Sequence, residues 1–267
     1  MKKLFLMILA ALLVLSCFGC NKTGNTETTT EATTTEATTT AKTENVEDIN
    51  KKSEGTMTYA EYAAAAIDDA VVIEAYVQAK QGWWQDKATI YTQDADGAYF
   101  IYELPCTEEE YNQMTIGTKL KVSGYKAEWA GEIEIVDATW EILEGSYIAP
   151  AKDVTALLGT EDLIKNQNMF VSFKGMTVAA SKNAEGNDVP YLFKWDGSGQ
   201  DGDDLYFNVS IDGETYTFTV ESYLCGKGTD VYEAVKNFKI GDVIDMEGFL
   251  YWYEGVNPHI TAVKAAN

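Results

Sequence analysis

From residue 58 onward the chain presents one order of elements twice, and this internal repeat limits the available folds more than any other feature. In the first copy, residues 71–79 read as a strand that mixes alternation with a buried run. Residues 88–93 and 98–104 flank Asp94, Ala95, Asp96 and Gly97, a hairpin turn signal. Thr107 with Glu110 three residues later forms a capping box that opens a short helix. Residues 119–126 and 132–142 then alternate apolar and polar side chains, as half-buried strands do. The second copy follows with a strand at 170–180, a hairpin at 205–211 and 215–221 around Asp212 and Gly213, a short helix at 230–237, and strands at 242–251 and 259–264. The match is literal in places. Ile116-Gly117, Gly124-Tyr125 and Gly131 align at a single offset with Ile240-Gly241, Gly248-Phe249 and Gly255.

Three strands, a short helix and two strands, twice over, resemble the OB-fold, a small Greek-key barrel. The resemblance implies an all-β protein with two tandem OB-fold-like five-stranded barrels, each with a short helix between strands 3 and 4. It covers roughly residues 59–147 and 150–264, and boundaries at 58–149 and 150–267 follow. Gly124 and Gly248 are expected to relieve crowding where each fourth strand coils. A further short helix is expected ahead of each first strand, after the capping box Thr58–Glu61 and at residues 160–166. The chain is also similar to tandem OB-fold lipoproteins of Clostridia, a likeness that implies architecture and anchoring but no activity.

The lipoprotein reading rests on the first twenty residues. Two lysines precede an apolar run from Leu4 to Leu15, too short for a lasting bilayer span, which needs about 20 residues. Val14, Leu15, Ser16 and Cys17 resemble the bacterial lipobox, so residues 1–20 are expected to be a signal peptide with Cys17 as the lipidated residue and Cys20 as the alternate. Residues 21–57 nearly repeat a Thr-Thr-Thr-Glu-Ala unit and contain few large apolar side chains. Such a stretch buries too little surface to offset its ordering entropy, so a disordered linker is expected. The expected setting is extracytoplasmic, lipid-anchored to the cell membrane.

Acidic residues outnumber basic ones 42 to 20, giving a net charge of −22, and no arginine is present. Arginine's planar fork is a common phosphate clamp. On those grounds the sequence argues against nucleic acid as a partner. A glycan or protein ligand is expected instead, with the protein a monomer.

Candidate binding residues gather where an OB-type barrel places ligands, on the face bordered by the loops after strands 1 and 4. In the first copy these loops carry Trp83, Trp84 and Trp129; in the second they carry Trp195 and the run Tyr251, Trp252, Tyr253. Flat rings stack on sugars, bases or protein hot spots. The competing reading is that the rings plug barrel ends or pack between domains, since large aromatic residues are mostly buried. The long insertion of the second copy holds Asp196, Ser198, Asp201, Asp203 and Asp204, an oxygen-rich set suggestive of Ca²⁺, although the spacing departs from the EF-hand loop. The alternative for that loop is a solvated acidic surface.

Catalytic signatures are missing from the sequence. His259 is the one histidine, and no Gly-x-Ser-x-Gly elbow, phosphate loop or dinucleotide fingerprint occurs. Cys106 and Cys225 fall near helix starts and read as small structural residues rather than nucleophiles or a zinc pair. The sequence therefore points to a non-enzymatic surface lipoprotein that binds an extracellular glycan or protein through loop aromatics and needs no cofactor. An OB-fold nucleic-acid binder and a structural component of an envelope assembly are the alternatives.

Overall fold

The computed structural model describes residues 49–266. The expected lipobox and most of the expected linker lie outside the described residues. The first barrel comprises β1 (Ala70–Lys80), β2 (Lys87–Gln93), β3 (Ala98–Pro105), β4 (Thr118–Trp129) and β5 (Glu132–Ser146), closed in the order β1-β2-β3-β5-β4. Helix α1 (Tyr59–Ala64) precedes it, and α2 (Glu108–Gln113) joins β3 to β4. After a short β6 (Lys152–Asp153), the second barrel begins with β7 (Phe170–Ala179). Its insertion holds β8 (Ser181–Lys182), β9 (Asp188–Val189) and β10 (Leu192–Phe193). Then come β11 (Leu205–Ile211), β12 (Glu214–Val220), α3 (Asp230–Lys236), β13 (Val243–Phe249) and β14 (His259–Ala265). Pairing of β7 with β11 and β13, of β13 with β14, and of β12 with both β11 and β14 closes a second five-stranded ring. The expected all-β pair of OB-like barrels, each with a helix between its third and fourth strands, is the observed architecture.

Strand alternation fills each barrel from one face of every strand. Ile73, Ile90, Ile101, Leu120 and Ile135 fill the first barrel, while Phe173, Phe207, Phe218, Met246 and Ile260 fill the second. The two glycines on the fourth strands are required by close approach. A Cβ at Gly124 would sit 2.7 Å from the Val136 carbonyl oxygen, and one at Gly248 would sit 2.2 Å from that of His259. Both lie where the register between the last two strands shifts, so each marks a bulge that bends the closing strand.

The helices cover barrel ends. Both Thr58–Glu61 and Thr107–Glu110 form reciprocal capping boxes. The other end of α1 is closed from β4, where buried Lys126 donates from Nζ to the carbonyls of Tyr62, Ala63 and Ala65 at 2.7–3.0 Å. A cation facing terminal helix carbonyls meets both their unpaired lone pairs and the negative end of the helix dipole. The short helix expected over residues 160–166 is a single 3₁₀ turn, Leu163–Asn166, preceded by another at Thr155–Leu157. Gly159, at φ +74°, breaks the path between them, and the Thr160 hydroxyl bonds back to Leu157 instead of capping forward.

The packed region also starts earlier than residue 58. Ile49 is buried, the Met57 amide donates to the Val72 carbonyl at 2.8 Å, and Lys52 pairs with the buried carboxylate of Asp94 at 2.6 Å. Composition reads this stretch as linker because the partners that hold it are on the barrel. Asp94 also accepts from the amides of Asp96 and Gly97 and from the Tyr99 hydroxyl, so it shapes the β2–β3 turn as well.

Candidate binding faces of the two barrels

The second and third strands of each barrel turn one set of side chains inward and the other outward, and the outward sets differ. On β2 and β3 they include Tyr91 and Phe100, both large, whereas on β11 and β12 they are Tyr206, Asn208 and Thr217. A strand apolar on both faces needs a cover on both. Tyr91 and Phe100 are 0 % and 2 % exposed because the second barrel lies over them.

That seam is dense. The Tyr91 ring stacks on Phe249 at 4.3 Å, Phe100 meets the Tyr251 ring edge-on at 5.4 Å, and Phe170 and Leu224 pack around them. His259 stacks on Tyr251, and its Nδ1 lies 2.9 Å from the Tyr91 hydroxyl. Complete burial pushes the imidazole down to about 3, so the ring is neutral and shares a single hydrogen bond with the Tyr91 hydroxyl. The Phe170 amide donates to Gln93 Oε1 at 2.8 Å, and Asn168 Nδ2 donates to the Ile133 carbonyl at 3.1 Å. Glu132, at the start of β5, accepts from the Trp252 amide at 2.9 Å and from Gln167 Nε2 at 3.2 Å. Burial raises its carboxyl to about 8, against the opposing effect of those donors. The outward face of β2 and β3 in the first barrel is thus largely consumed by domain docking.

On the second barrel the corresponding face is open. Tyr206 and Asn208 from β11 and Thr217 from β12 floor a groove of about 820 Å³. Trp195 from the insertion stands on one side; Tyr253 and Val256 from the β13–β14 loop stand on the other. Thr217 donates to Asn208 Oδ1 at 2.8 Å, and Asn208 Nδ2 donates to the Ala180 carbonyl at 3.1 Å, which fixes the amide. Partial burial raises the Tyr206 phenol, so it stays a neutral donor. The far wall is braced by the first barrel: Trp129 packs on Tyr253 at 5.1 Å, and the Glu254 amide donates to the Ala130 carbonyl at 2.7 Å. The groove offers rings for stacking with amides and hydroxyls between them, and its charged lining is one lysine and one glutamate.

The seven aromatic residues singled out from sequence therefore separate into three places. Trp195 and Tyr253 line the groove, with Trp129 behind Tyr253. Tyr251 and Trp252 belong to the seam, the Trp252 indole lying against Gly131. Trp83 turns inward onto the first barrel's core and donates from Nε1 to the Cys106 carbonyl at 3.0 Å, while its neighbour Trp84 is 71 % exposed. Loop composition missed Tyr206, Asn208 and Thr217. Their signal was present as the polar, outward-facing alternation of β11 and β12, set against the apolar one of β2 and β3.

The acidic insertion does not converge on a cation. Asp196 accepts from the Ser198 amide and hydroxyl, and Asp204 accepts from the Ser222 amide and hydroxyl. Asp201 pairs with Lys227 and Lys236, and Asp203 accepts from the Gln200 amide. Each carboxylate faces a partner of its own, and among the described residues no three metal-capable side chains are grouped to hold an ion. Cys106 and Cys225 are both free, and burial raises each thiol to about 11.

No family model matches the sequence, and no curated protein matches it. Among solved structures, the chain is similar to a murine DNA-binding protein bound with double-stranded DNA, at 10 % identity and TM-score 0.36, over 73 % of this chain and 96 % of that one. It is also similar to a replication protein A heterotrimer bound to single-stranded DNA, at 11 % identity and TM-score 0.29, over 77 % and 51 %. A third is an asparaginyl-tRNA synthetase from Entamoeba histolytica in complex with asparaginyl-adenylate, at 13 % identity and TM-score 0.27. The match spans 39 % of this chain but only 29 % of the synthetase. The expectation that set nucleic acid aside is corrected at the open groove. The physical reason is local: net charge and missing arginine describe the whole chain, whereas the open groove carries one charge of each sign.

Proposed function

We propose that the protein is a non-catalytic binding protein that holds a single-chain polymer with ring units that stack on aromatic side chains, on the open face of its second barrel. The observation that carries this reading is the groove itself, in which Trp195, Tyr206 and Tyr253 surround hydrogen-bonding side chains on the strand pair that OB-type barrels use for oligonucleotides and oligosaccharides. Single-stranded nucleic acid and oligosaccharide both belong to this class. A base would stack on the rings and meet Asn208 and Asn257 with its edge; a sugar would do so with its hydroxyls. Under this reading Cys17, or Cys20 in its place, carries a lipid, and residues 21–48 hold the barrels outside the membrane.

Equilibrium titration of the protein with a labelled oligothymidylate and, in parallel, with a panel of hexasaccharides tests the proposal and separates the two ligands. One of them is expected to bind, and Trp195→Ala is expected to weaken it about tenfold, the usual effect of losing a stacking platform. Absence of binding by either class, or binding indifferent to Trp195→Ala and Tyr253→Ala, would overturn it. Labelling of cells with radioactive palmitate tests the anchor, which is expected to vanish in Cys17→Ala or, failing that, in Cys20→Ala.

A further inference from the structure

We infer that the seam between the barrels forms a second binding site, for a neutral saccharide unit, separate from the groove and independent of the reading given to it. Docking covers Tyr91 and Phe100 but stops short of the next outward pair on β2 and β3, Thr89 and Tyr102. There a cleft of about 460 Å³ remains, walled by Trp84 and Tyr102 of the first barrel and by Tyr223 of the second. The three rings are 71 %, 43 % and 74 % exposed, an unusual concentration of aromatic surface in one concavity. Two bonds hold the far wall in place: the Gly82 amide donates to the Tyr223 carbonyl at 2.9 Å, and Gln81 Nε2 donates to Glu221 at 3.2 Å. The cleft therefore exists only while the barrels are docked.

The chemistry selects the ligand. Lys87 and Glu103 face each other across the rim at 2.6 Å, so the rim has no net charge. A carboxylate accepts from two hydroxyls at once and an ammonium donates to a third. Neighbouring sugar hydroxyls meet both needs, while the rings take the apolar face of the sugar. A phosphate would have its charge matched at Lys87 only by displacing Glu103.

Calorimetric titration of the Trp195→Ala protein, in which the groove is weakened, brings this site forward, and the Tyr223 and Trp84 changes separate its signal from residual groove binding. The probes are cellohexaose, chitohexaose, maltohexaose and a short oligothymidylate. At least one hexasaccharide is expected to bind, and a further Tyr223→Ala or Trp84→Ala change should weaken it about tenfold. Both residues are surface-exposed, so an unchanged urea midpoint is expected to accompany the loss. Glu103→Gln should weaken the sugar as well. The inference is overturned if no hexasaccharide binds the Trp195→Ala protein, if binding ignores Tyr223 and Trp84, or if the oligothymidylate binds more tightly than the sugars. Failure here with Trp195-dependent binding intact would leave the groove standing.

Discussion

Replacing Glu132 by glutamine should stabilise the protein at alkaline pH and leave it almost unchanged at acid pH. The carboxyl is fully buried at the seam, and its Oε1 is without a hydrogen-bond partner among the described residues. The Asn168 amide lies against it, and Asn168 Oδ1 is likewise buried and unpartnered. Burial disfavours the charged form and raises the carboxyl to about 8, although the Asn168, Trp252 and Gln167 donors oppose the rise. Glu134, Tyr91, Tyr251 and Glu221 also face this region, and none of them brings a positive charge. In the unfolded chain the same group ionises near 4.5. Between those two values the folded state holds a proton that the unfolded state has released, so stability falls as pH rises from about 4.5 to 8 and then levels off. At about 1.36 kcal/mol per tenfold, the loss across the window is of order 4–5 kcal/mol. Glutamine keeps the acceptor for the Trp252 amide and cannot ionise. Urea denaturation of both proteins at pH 5, 7 and 9 reads the difference, which should open by several kcal/mol toward pH 9. A gap that stays constant with pH, or a wild type that gains stability on the alkaline side relative to the variant, would refute the buried-acid argument.

Three further outcomes follow from the fold. Lys126→Met keeps the length of the side chain but leaves three helix-end carbonyls without their donor, and urea denaturation should show a loss of about 2–3 kcal/mol. Gly248→Ala places a methyl 2.2 Å from the His259 oxygen, and should cost about 3 kcal/mol or more by the same assay. An equal stability for that variant would mean that the β13–β14 bulge is absent. Because burial raises both Cys106 and Cys225 to about 11, their labelling by a disulfide reagent at pH 8 should be slow in the native protein and fast in urea.

The architecture was legible because each barrel's strands repeat and their glycines recur in register. Inward residues such as Ile90 and Phe207 are fixed by alternation, and the capping boxes at Thr58 and Thr107 are written locally. The site was legible only in part. Trp83 and Trp84 are adjacent and face opposite ways, and within the run 251–253 the first two residues serve the seam while the third reaches the groove. Loop composition carries no such directional information. What covers an outward-facing Tyr91 is a tertiary fact, and so is the strap at residues 49–57, whose lysine is held by a carboxylate on a distant turn. The partners of Asp201 and Asp204 in the acidic insertion likewise come from later in the chain.

Hydroxyl-radical footprinting, read residue by residue by mass spectrometry on the unliganded protein, addresses the division of labour between the two barrels. Tyr91 and Phe100 should be oxidised as slowly as the core residue Phe207, while Trp195 and Tyr253 react at the rate of open surface. Rapid oxidation of Tyr91 and Phe100 would show that the first barrel's face is uncovered in solution and would contradict the docked arrangement on which both sites depend.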